Sequence, residues 1–444
     1  MKNSRIVLIL LLALLITLSA ACSPSGELSP TQAGNEGETA LPAENFSEKI
    51  TVILPEIEMD NIGFYEAETR KFEQLTGIQV ERIYGDWDDV AEFILLDLGK
   101  SGGSYDVIEY DNAWIANFHQ NDWLEPLDRY VSDEYRNGML PGLIDKFSTD
   151  GKLYGITWNN DTRFFMYNKN LLEKAGYSVP PQTWSELVET SKKLIQEGIV
   201  PFGYSDSYIQ QQSGSNQIAF LVYSFGGRLF DDNGAPVMGE DPKTKAAFEF
   251  LNQAINVDKI CEPSSLLFDY HAVSDMFCMG QTAFVLQAWA GVYEMANNED
   301  FSIITGQVAV GDVSIHAEGE APIVLALPEA MAIPKTSAHK DAAWKYIEYM
   351  SSLEVDKRRC EAIGSLPLWS SLYTDPDLLA IYPYWENFGN QSEIVLGLPD
   401  LLWYDEYSEI LMRETHNMLN GKISVGDCLK TIQEQCEVLA AAGS

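Results

Sequence analysis

Four short stretches gather the side chains best equipped for chemistry. "EYDNAW" follows an apolar run and sets Asp111 and Asn112 between the rings of Tyr110 and Trp114. "TWNNDTRFFMYN" contributes Asp161 and Arg163, with Trp158 beside them. "VLQAWAG" carries Trp289, and the aromatic C-terminal part "GLPDLLWYDEY" carries Trp403, Tyr404 and Asp405. Trp369 in "SLPLWSS" and Trp385 in "YPYWENFG" belong to that same part. Softer candidates are Trp87 in "YGDWDD" and Asn216 with Gln217 in "QQQSGSNQ". Carboxylates and amides accept and donate hydrogen bonds, the charged acceptors making the stronger ones, and indole faces stack on apolar surfaces. This is equipment for reversible recognition. Nucleophilic catalysis has no anchor, because no G-x-S-x-G occurs. Metal chemistry has little either: His119, His271, His316, His339 and His416 are scattered and no H-E-x-x-H is present.

Each candidate also has a plainer use. Asp111 and Asn112 would serve equally as caps of the following helix. A buried ring on a helix is commonplace, which applies to Trp114, and Trp385 would equally cover a helix. Arg163 would pair with Asp161 and orient it. Trp289 would pack in a core.

The elements that must position these residues alternate from Lys49 onward. "KITVILP" reads as a strand, "EAETRKFEQLTGIQV" as a helix that closes at Gly77 and runs into a strand over 78–84. "YDVIEYD" is another strand, followed by the helix and loop of "NAWIANFHQNDWLEPLDRY". The rhythm continues through "WSELVETSKKLIQEG", which Thr183 or Ser185 would cap and Gly198 would stop, to "IVPFGYS". Such alternation argues for an α/β fold with a parallel sheet. "DDNGAPV" is a tight turn, "DPKTKAAFEFLNQAINVDKIC" a further amphipathic helix, and the last third is mainly helical without a fixed-period repeat.

The start of the chain is of another kind. Lys2 and Arg5 precede an aliphatic run from Ile6 to Leu18, then Ser19, Ala20, Ala21 and Cys22. A spanning helix needs roughly 20 apolar residues, so this run suits a signal peptide over 1–21. The stretch resembles the lipobox of bacterial lipoproteins, in which the cysteine bears the lipid, although Ser19 stands where a leucine is usual. The alternative is an ordinary secreted protein cut near Ala21. Residues 23–47, polar and without Lys or Arg, cannot bury enough surface to offset chain entropy. With Cys22 they read as a lipidated tether over 22–47, reaching some 25–30 Å on average. The expected location is the outer face of a bacterial cell membrane.

About 400 residues remain, more than one core usually serves, so two lobes are expected. A formal charge of −37 repels nucleic acid and anionic headgroups, which excludes both as partners and leaves the lipid as the only membrane contact. Cys261, Cys278, Cys360, Cys428 and Cys436 are an odd, scattered set and no disulfide framework. Cys428 and Cys436 lie eight residues apart on one helix, a rise of roughly 12 Å that no disulfide bridges. Buried thiols are expected, with one pair elsewhere left open. No cofactor and no metal is expected, and the chain is expected to be a monomer.

Several segments together resemble the carbohydrate-binding family of extracellular solute-binding proteins of ABC transporters, which includes maltose-binding protein. They are "FEQLTGIQV", "YDVIEYDNAWIANFHQNDWLEPLDRY", "DGKLYGITWNNDTRFFMYNKNLLEKAGYSVPPQTWSELVE", "MGQTAFVLQAWAGVYE" and "MAIPKTSAHKDAAWKYIEYMSSLE", in the family's order across residues 49–437. The resemblance implies a two-lobe Venus-flytrap fold with discontinuous lobes, 48–157 plus 323–354 and 158–322 plus 360–444. It places Asp161 at an acidic ligand contact and Trp289 at or beside a ring that stacks on sugar, and Trp403 is the preferred second platform. A sugar has apolar C–H faces and a rim of hydroxyls, which rings and Asp, Asn, Gln or Arg would meet. Few Lys or Arg residues lie in these loops, which disfavours phosphorylated or carboxylate-rich ligands and fits a neutral mono- or oligosaccharide. The implied function is capture of that sugar and its delivery to the membrane permease subunits, without catalysis. Rival readings are a non-sugar solute, a sensor or adhesion system, and a glycoside hydrolase, which needs two carboxylates at a set separation.

Overall fold

The computed structural model describes residues 46–56, 60, 62–85, 87–100, 102–231, 233–385 and 395–443; Cys22, the signal segment and nearly all of the tether lie outside them. The chain begins with strand β1 (Glu48–Ile53), helix α1 (Phe64–Thr76), β2 (Ile78–Ile83), α2 (Trp87–Gly99), β3 (Val107–Asp111) and α3 (Ile115–Gln120). Helix α1 starts where the Asp60 carboxylate accepts the amides of Phe64 and Tyr65 and buries Phe64, Tyr65 and Phe72. It stops at Gly77, whose φ of 68° is left-handed backbone that glycine adopts without a Cβ penalty.

After β4 (Gly155–Asn159) the chain crosses into β5 (Phe164–Asn168), then α4 (Trp184–Gln196), α5 (Gln212–Ser224), α6 (Tyr270–Cys278), β6 (Phe284–Ala288), α7 (Ala290–Asn297) and β7 (Val308–Val310). It returns through β8 (Glu329–Ala332), α8 (Lys340–Met350) and α9 (Leu353–Ile363), and ends on α10 (Tyr404–Leu419) and α11 (Val425–Gly443).

Two sheets result. The first has the order β2-β1-β3-β8-β4 and the second the order β6-β5-β7. Within the two larger sheets the expectation of parallel strands holds for β1, β2 and β3. Strand β8 runs antiparallel to β3 and β4, because it enters the sheet from the opposite end on its way back from the second sheet. The second sheet is antiparallel throughout. Trp158 and Asn159 still belong to the first sheet, and α8 and α9 pack on α1 beside it.

One apolar core covers the first sheet and extends beneath α4, α5 and α10. A second, smaller core lies against the second sheet around Phe164, Phe277, Val285 and Trp385. Cys261, Cys278, Cys360, Cys428 and Cys436 are free and buried. Among the described residues no helix is long and apolar enough to cross a membrane.

Candidate functional site

Strand β3 delivers Asp111 to the end of the first sheet, where Glu329 of β8 stands opposite it. Asp111 accepts the Ala113 amide at 2.7 Å and the Asn112 side-chain amide at 3.3 Å. The bond to Ala113 closes a turn ahead of α3, whose own N-cap, Trp114, makes no side-chain cap. Burial pushes Asp111 up to about 7; the Ala113 amide and Lys146 oppose this, and the Asp161 charge adds to it. Two residues earlier on the same face, Glu109 is fully buried and accepts the indole N–H of Trp158 at 2.7 Å. Burial, then the charges of Glu329 and Asp111, hold Glu109 well above the usual carboxylate range. Carboxylate oxygens of Glu109, Asp111 and Glu329 lie within 4.8 Å of one another. Chemically such a trio shares protons or takes up a cation.

Across the junction, Arg163 opens β5 and pairs with Asp161. Its guanidinium lies over the Tyr270 ring at 4.4 Å and the Trp289 ring at 5.2 Å. Trp289 sits at the start of α7, edge-on to Tyr270 at 5.5 Å. Asp206, also buried, is pushed up to about 7 by burial, with the Ser207 amide, Tyr208 and the Arg163 charge pulling against it. Tyr404, at the start of α10, donates its hydroxyl to Asn216 Oδ1 at 3.2 Å. Asn112 Oδ1, Gln217 Oε1 and Trp289 Nε1 are buried and have no hydrogen-bond partner among the described residues. Buried polar atoms are usually paired.

Beside this centre opens a cleft of about 470 Å³. Trp87 and Trp114 line it from the first-sheet side, while Gln210, Gln212, Asp405 and Arg413 face them from α10 and the start of α5. The Trp87 and Trp114 rings are 5.2 Å apart, and Trp114 stacks on Phe118 behind it.

The structure therefore gathers Asp111, Asn112, Asp161, Arg163, Asn216, Trp289 and Tyr404 around the junction, and Trp87, Trp114 and Asp405 along the cleft; Gln217 is buried beside Asn216 on α5. Two candidates do not line the cleft. Trp158 is 2% exposed, with its N–H on Glu109 and its ring edge-on to Tyr65. Trp403 packs against Phe230 and Tyr407 and is not among the cleft-lining residues. Of the other rings, Trp369 donates to the Ser351 carbonyl at 2.8 Å and Trp385 stacks on Tyr382. Sequence reasoning missed Glu109, Asp206, Tyr270 and Glu329. The alternation of Glu109 with Asp111 along one strand was the only signal in the text; the rest come together through pairings remote in sequence.

The family model described as bacterial extracellular solute-binding protein matches residues 60–357. A probable ABC transporter-binding protein of Deinococcus radiodurans is 22% identical over 78% of this chain and 82% of its own. An arabinooligosaccharide-binding protein of Bacillus subtilis is 23% identical over 98% of this chain and 96% of its own. Among solved structures, maltose-bound MalE3 of T. maritima superposes with a TM-score of 0.81 at 24% identity, over 88% of this chain and all of that one.

Proposed function

The chain belongs to the bacterial extracellular solute-binding proteins, which bind a solute without transforming it, and from that premise we propose that it captures a neutral saccharide. The observation that carries this reading is the junction itself. Trp289 and Tyr270 supply flat rings there, and the buried Asn112 Oδ1 and Trp289 Nε1 lie without partners among the described residues. Arg163 is engaged by Asp161 and Lys146 by Asp400, so among the described residues the junction shows no basic clamp left over for an anionic ligand. The neighbouring cleft, with its Trp87–Trp114 pair, leaves room for further sugar rings, and the sugar-binding relatives named above support the same ligand class.

In this reading the ligand bridges two lobes, 48–157 plus 323–354 and 158–322 plus 360–444. It shifts them towards closure because it touches both only when they are shut. The closed monomer delivers the sugar to ABC permease subunits from a lipid anchor at Cys22. The test is a thermal-shift screen against mono- and oligosaccharides, since a ligand that binds only the folded chain raises its melting temperature. At 100 times its dissociation constant the gain is about 2.7 kcal/mol. Trp289→Ala and Asp161→Ala are expected to abolish the shift while leaving the circular dichroism spectrum native. A shift that survives both substitutions puts the pocket elsewhere.

A further inference from the structure

The three segments that join the two sheets are held in different ways. The first and second pair through backbone: the Arg163 amide donates to the Leu325 carbonyl and the Leu327 amide to the Asp161 carbonyl, both at 2.9 Å. The third, which follows the left-handed Gly364, has one backbone bond to the first-sheet side, from the Leu140 amide to the Leu368 carbonyl at 2.9 Å, and is held besides by two side chains one turn apart on α9. Asp356 and Arg359 form an ion pair at 2.5 Å, with side chains 0% and 2% exposed. Asp356 also accepts the amides of Leu368 at 2.7 Å and Trp369 at 3.2 Å. Arg359 also donates to the carbonyl of Leu366 at 3.0 Å and to that of Trp158 at the end of the first sheet. Asn160 adds a bond to the Pro367 carbonyl at 2.9 Å. Helix α9 is itself fixed to α1, where Arg358 donates to Glu68 at 2.8 and 3.1 Å.

A buried ion pair is a poor device for stability alone, because removing two charges from water cancels most of their attraction. A packed apolar pair would anchor α9 as well. It would not satisfy two carbonyls and two amides drawn from separate crossings, which the guanidinium fork and the carboxylate do together. We propose that Asp356 and Arg359 are positioning residues that set the pivot. They clasp the first and third crossings to the α1–α9 body and confine bending to residues 159–163, 325–329 and the chain beyond Trp369. Neither residue needs to touch the ligand. The proposal rests on the lobes moving as two bodies, and the identity of the solute does not enter.

The test is a ligand-free distance measurement between spin labels at Gln74→Cys on α1 and Ala246→Cys on the helix Pro242–Asn252, both exposed positions. A Cys22→Ala background and the burial of the other five cysteines keep the labelling selective. Arg359→Lys keeps the charge but loses the fork, and Asp356→Leu with Arg359→Met removes the pair while keeping its volume. The parent is expected to give one narrow distribution. Both variants are expected to keep a native circular dichroism spectrum and to give broader distributions shifted to longer distances. Where the saccharide screen has found a ligand, its dissociation constant should rise about tenfold, since fewer molecules are poised to close. A folded variant with the parent's distribution overturns the proposal. Loss of folding in both variants overturns it too, because the pair would then hold the fold and not the pivot. The distances are read without sugar, so a failed saccharide screen leaves this test standing.

Discussion

Asp111 and Asp206 are carboxylates that burial holds near 7, while an unfolded chain would release their protons near 3.9. Each folded-state value is raised, so its contribution to stability is complete below about pH 4 and is lost as pH rises through about 7. Between those limits folding takes up a proton at each site, and stability falls by about 1.4 kcal/mol per pH unit per group. Glu68 acts in the opposite sense and outside that window. Burial raises it, but hydrogen bonds from Arg358, Lys71 and Tyr349 prevail and hold it at about 2. Denaturant titrations at pH 5, 6 and 7 should show stability declining with pH, and Asp111→Asn should make that decline shallower, the remainder coming from Asp206 and the other raised carboxylates, Glu109 and Glu294 among them. Equal slopes in parent and variant would mean that Asp111 is ionised throughout. Asp111 was legible in the sequence because a carboxylate directly after an apolar strand has few other places to go. Asp206 was not. Beyond its neighbours Ser207 and Tyr208, its surroundings come from remote residues such as Arg163 and Ser265, and nothing in "YSDSY" announces those.

Local signals were read most reliably where the chain stops or starts. Thr183 caps α4 by accepting the Glu186 amide at 3.3 Å, and Glu186 returns bonds to the amides of Gln182 and Thr183 at 2.8 and 3.2 Å. This reciprocal box satisfies donors that the first turn of a helix leaves open. Thr183→Ala should therefore cost about 1 kcal/mol of stability. In a chain this long that amounts to a fall of about 1–3 °C in melting temperature. The saccharide-induced shift should be unchanged, because α4 contributes nothing to the junction or the cleft; an unaltered melting temperature would show that the box is idle. Gly77 and Gly198 ended their helices as the sequence indicated. Strand direction was not legible. β8 carries the same apolar signature in either orientation, and only its return from the second sheet makes it antiparallel. The same blindness explains why Trp403 was singled out and Tyr270 was not. Both are aromatic residues at the start of a helix, and the facing element alone decides which ring meets the junction.

The two-lobed architecture was readable because several weak segments occurred together and in order, although none of them specifies a fold alone. At this scale the formal charge of −37 also acquires a use. A body so acidic is repelled by anionic headgroups, and at the ionic strength of cells that repulsion persists over about 8 Å. Electrostatics thus gives the folded part no affinity for the surface, and among the described residues no helix is long and apolar enough to cross a membrane. In the proposed reading every bit of membrane attachment falls to lipid on Cys22, and the polar residues 23–47 hold the lobes clear of the headgroups. The consequence is an all-or-none partition. Expressed in a bacterium, the parent chain should sediment with membranes and enter the detergent phase, whereas Cys22→Ala should appear wholly in the soluble extracellular fraction. Lowering the salt should not bring the variant back, because weaker screening lengthens the repulsion. A Cys22→Ala chain that still sediments with membranes would show that another part of the molecule holds it there.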